Sequence, residues 1–180
     1  TIRIWDLEKS VGEDRYCRVL RGHMNSVMSV FELSNGKLAT GSYDYTIQIW
    51  DLEKSVGEDG YCRVLRGHDN MVNSVIELRN GKLATGSRDR TIRIWDLDKS
   101  EGDEGYCRVL EGHTHWVLSV IELSNGKLAT GSNDRTIRIW DLDKQEGEDG
   151  YCRVLEGHTN GVRSVIEISN GKLATGSDDR

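Results

Sequence analysis

TIRIWDL at residues 1–7 returns as TIQIWDL at residues 46–52 and as TIRIWDL at residues 91–97 and 136–142. The 180-residue chain therefore divides into four units of 45, at residues 1–45, 46–90, 91–135 and 136–180. A fixed period of this length is the signature of an architecture in which one supersecondary unit is stacked on the next. We expect residues 1–180 to form a single domain made of these units.

Within each unit, short runs alternate apolar and polar residues with the period of a β-strand. TIRIW at residues 1–5 and YCRVL at residues 16–20 are two such runs. An Asn-Gly pair, first at Asn35-Gly36, lies between two further runs and is a strong signal for a hairpin turn. No run has the period of a helix, so the sequence predicts an all-β fold with four strands per unit.

A second set of residues has fixed spacing in every unit. Gly22-His23 is followed 27 positions later by Trp50-Asp51, and Asp44 lies six positions before that Trp. In all four units this combination resembles the WD-repeat β-propeller family, in which each unit contributes to a blade of four antiparallel strands. In the family's lettering KLATGS resembles strand b, TIRIWDL strand c, YCRVL strand d and the stretch after Gly-His strand a.

On this resemblance the chain starts at strand c and ends after strand b. Three blades are then complete, and the c and d strands at the N-terminus match the a and b strands at the C-terminus. Because exposed strand edges are rarely tolerated, we expect the edges to be paired. The sequence leaves rings of four, seven or eight blades open. We favour a homodimer that closes one eight-bladed ring, with a mass of about 40.6 kDa (2 × 20.3 kDa).

A His, a Thr and an Asp in each unit could form a hydrolase triad, but they always occur with a Trp. The order Trp, Thr, His, Asp makes a chain in which every donor finds an acceptor, and it resembles the structural tetrad of the family. We therefore predict four structural networks and no enzyme. The predicted tetrads are His23, Thr40, Asp44 and Trp50; His68, Thr85, Asp89 and Trp95; His113, Thr130, Asp134 and Trp140; and His158, Thr175, Asp179 and Trp5.

Three positions hold a different residue in every unit, and the resemblance places them on the top face, where partners of the family bind. They are Ser26, Met71, Trp116 and Gly161 at the first position; Met28, Asn73, Leu118 and Arg163 at the second; and Tyr43, Arg88, Asn133 and Asp178 at the third. Aromatic, Met and Arg side chains are favoured at interface centres. Drift of unconstrained positions after duplication is the alternative explanation.

The sequence therefore favours a non-catalytic scaffold that binds a peptide or protein on its top face. Trp116, Met71, Met28, Leu118 and Tyr43 would be apolar anchors, and Arg88 and Arg163 would bind carboxylate or phosphate groups. The alternative is a recently amplified or engineered array whose role is self-assembly, since the first two units differ at only nine of 45 positions.

Composition limits the partners and the compartment. A net charge of −6 argues against nucleic acid, and no apolar run is long enough to span a membrane. Cys17, Cys62, Cys107 and Cys152 recur every 45 residues without metal-ligand spacing, so we expect free thiols, no metal or cofactor, and a cytoplasmic location. The chain begins with Thr1 instead of Met, which suggests a processed, excised or designed product. The acidic c–d connections are expected to be solvated.

Overall fold

The computed structural model of the protein describes residues 1–14 and 17–180. Arg15 and Tyr16 lie outside the described residues, and Tyr16 is the first residue of one predicted strand run. The described part is all β apart from one short 3-10 turn, η1, at Ser169–Gly171. The strands are β1 (Ile2–Trp5), β2 (Cys17–Leu20), β3 (Val27–Glu32), β4 (Leu38–Ser42), β5 (Ile47–Trp50), β6 (Cys62–Leu65), β7 (Val72–Glu77), β8 (Leu83–Ser87), β9 (Ile92–Trp95), β10 (Cys107–Leu110), β11 (Val117–Glu122), β12 (Leu128–Ser132), β13 (Ile137–Trp140), β14 (Cys152–Leu155), β15 (Val162–Ile168) and β16 (Lys172–Ser177).

The strands form three antiparallel four-stranded sheets, each in sequence order. We call them blade 1 (β3–β6), blade 2 (β7–β10) and blade 3 (β11–β14). Two two-stranded sheets flank them: the N-terminal half-blade (β1 and β2) and the C-terminal half-blade (β15 and β16). The predicted all-β propeller fold with four-stranded antiparallel blades is confirmed, and β1 and β16 belong to separate sheets of the single chain. That the two half-blades are parts of one blade stays a prediction.

The predicted Asn-Gly turns join the first two strands of blades 1, 2 and 3 and the two strands of the C-terminal half-blade. In blade 1 the turn between β3 and β4 places Gly36 at φ 79°, a conformation that glycine adopts without steric cost. The last turn is tighter, because both Asn170 and Gly171 have φ 68° and the 3-10 turn η1 forms there. The Asn-Gly signal therefore located all four hairpins, although one of them differs in geometry.

The hydrophobic core lies between successive sheets. One buried cluster combines Ala39 and Ile47 of blade 1 with Val72, Val75 and Trp95 of blade 2. Gly41 allows this close approach, since a Cβ atom there would lie 2.8 Å from side-chain carbons of both Val72 and Val75. Each blade is thus stabilised mainly by the face of the next blade, as expected for stacked repeats.

Candidate functional site

The first predicted tetrad is a continuous hydrogen-bonded chain that connects the approach to β3 with β4 and β5. The indole Nε1–H of Trp50 donates to Thr40 Oγ1 at 2.9 Å, and His23 Nε2 lies 2.7 Å from the same oxygen. His23 Nδ1 lies 2.8 Å from Asp44 Oδ2. Because a carboxylate can only accept, Nδ1 carries the imidazole proton and the Thr40 hydroxyl donates to Nε2.

The second and third tetrads have the same geometry. His68 Nδ1 lies 2.6 Å from Asp89 Oδ2, and His113 Nδ1 lies 2.7 Å from Asp134 Oδ2. The indoles of Trp95 and Trp140 each donate to their Thr hydroxyl at 2.9 Å. Three of the predicted networks are therefore complete within the chain.

The fourth predicted tetrad is divided between the two half-blades. His158 contacts Thr175 Oγ1 and Asp179 Oδ2, each at 2.7 Å, within the C-terminal half-blade. Trp5 lies on β1 in the other half-blade and is 48% exposed, whereas the tryptophans of the complete tetrads are fully buried. The chain thus carries three of the four groups on one half-blade and the fourth on the other.

Burial and hydrogen bonding fix the protonation of the complete tetrads. Burial lowers the pKa of His68 and of His113, although hydrogen bonds to their Asp partners oppose this shift, so both imidazoles are neutral near pH 7. Burial alone would raise the pKa of Asp44, but hydrogen bonds from Thr46 and His23 outweigh it and hold the pKa at about 2. Asp44 is therefore an anion, and the imidazoles of His68 and His113 are neutral.

The tetrad geometry has no place for a substrate. The hydroxyl that a hydrolase would use as its nucleophile belongs to Thr40, Thr85 or Thr130, and each of these residues is 0% exposed. Each Thr oxygen is already occupied by an indole donor and an imidazole. The networks therefore hold strands together, and their chemistry is that of a satisfied buried polar cluster.

The second variable position coincides with a β-bulge in blades 1, 2 and 3 and in the C-terminal half-blade. The register between β3 and β4 shifts between Val27 and Ser29, so Met28 is the residue at the bulge. The same shift places Asn73, Leu118 and Arg163 at the bulges of the following sheets. Bulges re-aim side chains and are common beside functional sites. The bulge is a feature that the sequence did not predict.

The first and third variable positions are joined by a backbone hydrogen bond. Tyr43 N–H donates to Ser26 O at 2.9 Å in blade 1, and Arg88 N–H donates to Met71 O at 2.9 Å in blade 2. Equivalent bonds run from Asn133 to Trp116 and from Asp178 to Gly161. All three variable positions of a unit therefore meet at one end of its sheet, and this set of twelve residues is the top face.

Variable residues of successive blades also contact one another. The guanidinium carbon of Arg88 lies 5.0 Å from the ring centroid of Tyr43 in blade 1 and 4.2 Å from that of Trp116 in blade 3. Arg88 Nη2 donates to the Tyr43 hydroxyl at 2.8 Å. We call these three residues the top-face stack. Trp116 is half-buried in it instead of standing free in solvent, and Arg88 is already partnered.

The remaining top-face residues form smaller contacts. Arg163 pairs with Asp178 in the same half-blade, with Nη2 2.6 Å from Oδ2. Asn73 Nδ2 donates to Val117 O at 2.9 Å across a blade junction. Gly161 is buried because Asn133 covers it, and a Cβ atom there would lie 2.4 Å from Asn133 Oδ1. Met28 is 45% exposed, Ser26 is exposed, and Leu118 and Met71 are half-buried.

His115 belongs beside the top-face stack but was not among the predicted binding residues. Its imidazole packs edge-on against Trp116, with ring centroids 4.8 Å apart, and its Nδ1 lies 3.2 Å from Asn133 Nδ2. In the other three units the same position holds Asn. This single departure from the repeat was the available signal.

The four cysteines are free thiols. Across residues 1–14 and 17–180 no group of His, Cys, Asp and Glu side chains has the arrangement of a metal site. In the same ranges no helix has the length and apolar character needed to cross a membrane.

Comparison with known proteins agrees with this geometry. The family model described as "WD domain, G-beta repeat" matches residues 14–51, 58–96, 105–141 and 150–180. Among solved structures, the crystal structure of the WD40 β-propeller domain of Doa1 is similar, with a TM-score of 0.73 and 28% sequence identity. The match covers 88% of this chain and 50% of that chain, so this chain spans about half the length of the solved one. No match was found among curated proteins. Because the family model matches in all four units, the chain belongs to the WD-repeat family.

Proposed function

We propose that this chain is a non-catalytic scaffold whose top face binds a peptide or a segment of another protein. WD-repeat propellers are generally protein-interaction scaffolds. The observation that supports a top-face site here is the stack of Tyr43, Arg88 and Trp116, which joins three consecutive blades at one end of their sheets.

The stack has the properties of an interface centre. Aromatic and Arg side chains carry much of the binding energy in protein interfaces, especially where their rotamers are already fixed. Arg88 is held between two rings and donates to Tyr43, so a ligand would meet a preorganised surface. Met28, in the same unit as Tyr43, leaves 45% of its surface exposed, and Met adapts to irregular partners.

The contacts within the top face refine the expected ligand chemistry. The guanidinium of Arg163 is neutralised by Asp178, and that of Arg88 is covered by two rings. A ligand dominated by phosphate or carboxylate groups would have to displace these partners. The top face therefore favours an extended segment with apolar or aromatic side chains that pack on Trp116, Met71 and Met28.

These contacts also bear on why the variable residues differ. Tyr43, Arg88 and Trp116 contact one another across blade junctions, so a substitution at one of them must be compatible with the side chains at the other two. These residues therefore have a packing role in addition to the proposed binding role. Unconstrained drift does not require such complementary neighbours. A cytoplasmic location, suggested by the four free thiols, remains part of the proposal.

A displayed library of random linear peptides tests the proposal. Peptides selected on the unaltered protein should lose at least about tenfold in affinity to the variant Trp116→Ala with Met71→Ala. The control variant Val11→Ala with Val56→Ala changes two exposed apolar residues of the c–d connections and should bind as the unaltered protein does. Circular dichroism confirms that both variants are folded. Selected peptides that bind both variants equally would refute a top-face site.

Self-assembly of the repeat array is the second candidate role. It is favoured by the two half-blades, because β1 and β16 are edge strands of two-stranded sheets within residues 1–180, whereas the equivalent strands of blade 1, β5 and β4, pair with each other. A stable closed assembly for which the peptide library yields no ligand would favour this role over the first.

A further inference from the structure

We infer that the C-terminal half-blade pairs with the N-terminal half-blade of a second copy of this chain and packs on that copy's β3, at both junctions of a two-fold ring of eight blades. The self-assembling role described above rests on this interface, whereas the top-face stack of Tyr43, Arg88 and Trp116 forms within blades 1 to 3. The contacts that repeat at each internal blade junction predict the contacts at the junction between copies.

The first set of contacts packs one sheet face on another. A Cβ atom at Gly131 would lie 2.8 Å from Val165 Cγ2 and 2.9 Å from Val162 Cγ1 of the next sheet, and Gly41 and Gly86 have equivalent neighbours. At Gly176, the fourth residue of this series, a Cβ atom would meet only Ser164 Cβ at 3.9 Å. The C-terminal half-blade therefore presents a glycine surface shaped for two valines.

The matching valines lie on β3, where Val30 is exposed and Val27 is half-buried. Val75, Val120 and Val165 are at most 2% exposed because each packs on the preceding sheet, whereas Val30 of β3 is 53% exposed. Val27 lies beside it on the same strand. Val162 and Val165 occupy the same positions in their unit as Val27 and Val30 do in the first unit. The unit that would follow the C-terminal half-blade in a ring therefore begins with Val27 and Val30 of a second copy. The exposed surfaces at the two ends are therefore complementary in shape.

A second set of contacts consists of hydrogen bonds that repeat at the three junctions between β3, β7, β11 and β15. Val165 N–H donates to Ser119 Oγ at 3.2 Å, and Ser124 N–H donates to Glu167 Oε2 at 2.6 Å. By the same period, Val30 N–H of a second copy would donate to Ser164 Oγ. Glu32 of that copy would accept from the N–H of Ser169. Ser164, Ser169, Val30 and Glu32 are all exposed in the single chain.

Strand pairing supplies the third set. In blade 1, Leu38, Ala39, Thr40 and Gly41 of β4 pair with Trp50, Ile49, Gln48 and Ile47 of β5. The same register on β16 pairs Leu173 with Trp5, Ala174 with Ile4, Thr175 with Arg3 and Gly176 with Ile2 of the second copy. In this register, Trp5 of the second copy lies opposite Leu173 as Trp50 lies opposite Leu38, so its indole would donate to Thr175 as Trp50 donates to Thr40. The fourth tetrad would then be completed between two chains.

The number of copies follows from the blade count. Propellers have four to eight blades, so the sixteen strands of residues 1–180 can close alone or with one other copy of the same residues. Closure within one chain would place β1 and β16 in one sheet, whereas the chain keeps them in separate sheets. A head-to-tail contact forms a closed ring when its rotation permits and a filament when it does not. Two copies satisfy both exposed edges without a filament.

Light scattering and sedimentation of the 180-residue chain test the interface. The expected mass is about 40.6 kDa, twice the 20.3 kDa of one chain. Gly176→Leu fills a space that is empty in one chain but would overlap the valines of a second copy, and Val30→Asp places a charge on the matching face. Each should raise the dimer Kd by at least about tenfold without loss of strand signal in circular dichroism. Val56→Asp, in an exposed c–d connection, is the control and should leave the Kd unchanged.

Mixing the two disruptive variants tests the head-to-tail arrangement. A mixed pair has one junction with the native Gly176 and Val30 and one junction with both substitutions. The mixture should therefore form a dimer where each variant alone is monomeric. A monomeric or filamentous unaltered chain, an unchanged Kd in both variants, or a mixture without mixed dimers would each overturn the inference. None of these outcomes depends on a peptide ligand of the top face.

Discussion

The guanidinium carbon of Arg88 lies 4.2 Å from the ring centroid of Trp116, across the junction between blades 2 and 3. Arg88 reaches in the other direction to Tyr43 of blade 1, so one residue links three consecutive blades. These residues occupy two of the three positions at which all four units differ. Residues at the positions that differ between units therefore form contacts between blades on the top face.

A double-mutant cycle measures the contact between Arg88 and Trp116. We expect Arg88→Met and Trp116→Leu to show a coupling of about 0.5–2 kcal/mol in the free energy of unfolding, the range for partly desolvated cation–π pairs. Urea denaturation of the four proteins provides the values. In the control cycle Arg90→Met replaces Arg88→Met, and its coupling should be near zero because Arg90 is exposed in the same turn. Equal coupling in both cycles would contradict the stack.

The tetrads should be structural, and Thr85→Val tests this with little change in volume. The substitution leaves the indole N–H of Trp95 and Nε2 of His68 without their shared partner. Each buried unsatisfied group costs about 1–3 kcal/mol, so the free energy of unfolding should fall by that amount or more. Thr114→Val, at an exposed position, is the matched control. A variant as stable as this control would show that the tetrad does not stabilise the blade.

Stability should decrease in acid in two stages. His68 and His113 have pKa values lowered below 6.5, mainly by burial, so the unfolded chain binds more protons as the pH falls below 6.5. Asp44 has a pKa of about 2 against an ordinary 3.8, so its contribution is lost between those values. Denaturation at a series of pH values should show a lower free energy of unfolding at pH 5 than at pH 7, and a further fall below pH 4.

The variant His115→Gln is the control for this profile, because His115 lies outside the tetrads. It should reproduce the loss of stability between pH 7 and pH 5. A profile that is flat over this range in the unaltered protein would contradict the neutral, buried imidazoles.

Arg63 should clamp blade 1 to blade 2. Its guanidinium donates to the carbonyl oxygens of Leu97 and Lys99 in the c–d connection of the next blade. Hydrogen bonds to charged groups contribute about 1.5–3 kcal/mol, so Arg63→Met should lower the free energy of unfolding by roughly that amount. Thermal and urea denaturation measure the change. Arg66→Met removes an exposed arginine nearby and should have little effect, and equal losses in the two variants would count against the clamp.

Much of the fold could be predicted because the same strand and turn patterns recur in all four units. The alternation in TIRIW and the Asn-Gly pairs located the strands and the hairpins, and donor–acceptor matching predicted the bonds of Trp50, Thr40, His23 and Asp44. These are local or pairwise requirements that every unit must satisfy. The bulge at Met28 was not predicted, because an extra residue in a strand leaves no distinct mark on a short alternating pattern.

The sequence alone determined the blade, its tetrad and the positions at which the units differ, since each follows from a period or from hydrogen-bonding capacity. Only the tertiary structure decided which differing residues touch. Arg88 meets Trp116 although they lie 28 positions apart in different units, because the stacking of sheets brings one unit's b–c turn against the residue that precedes the first strand of the next blade. Contacts of this kind depend on the angle between neighbouring sheets, which is set by packing across the whole face and not by any single residue.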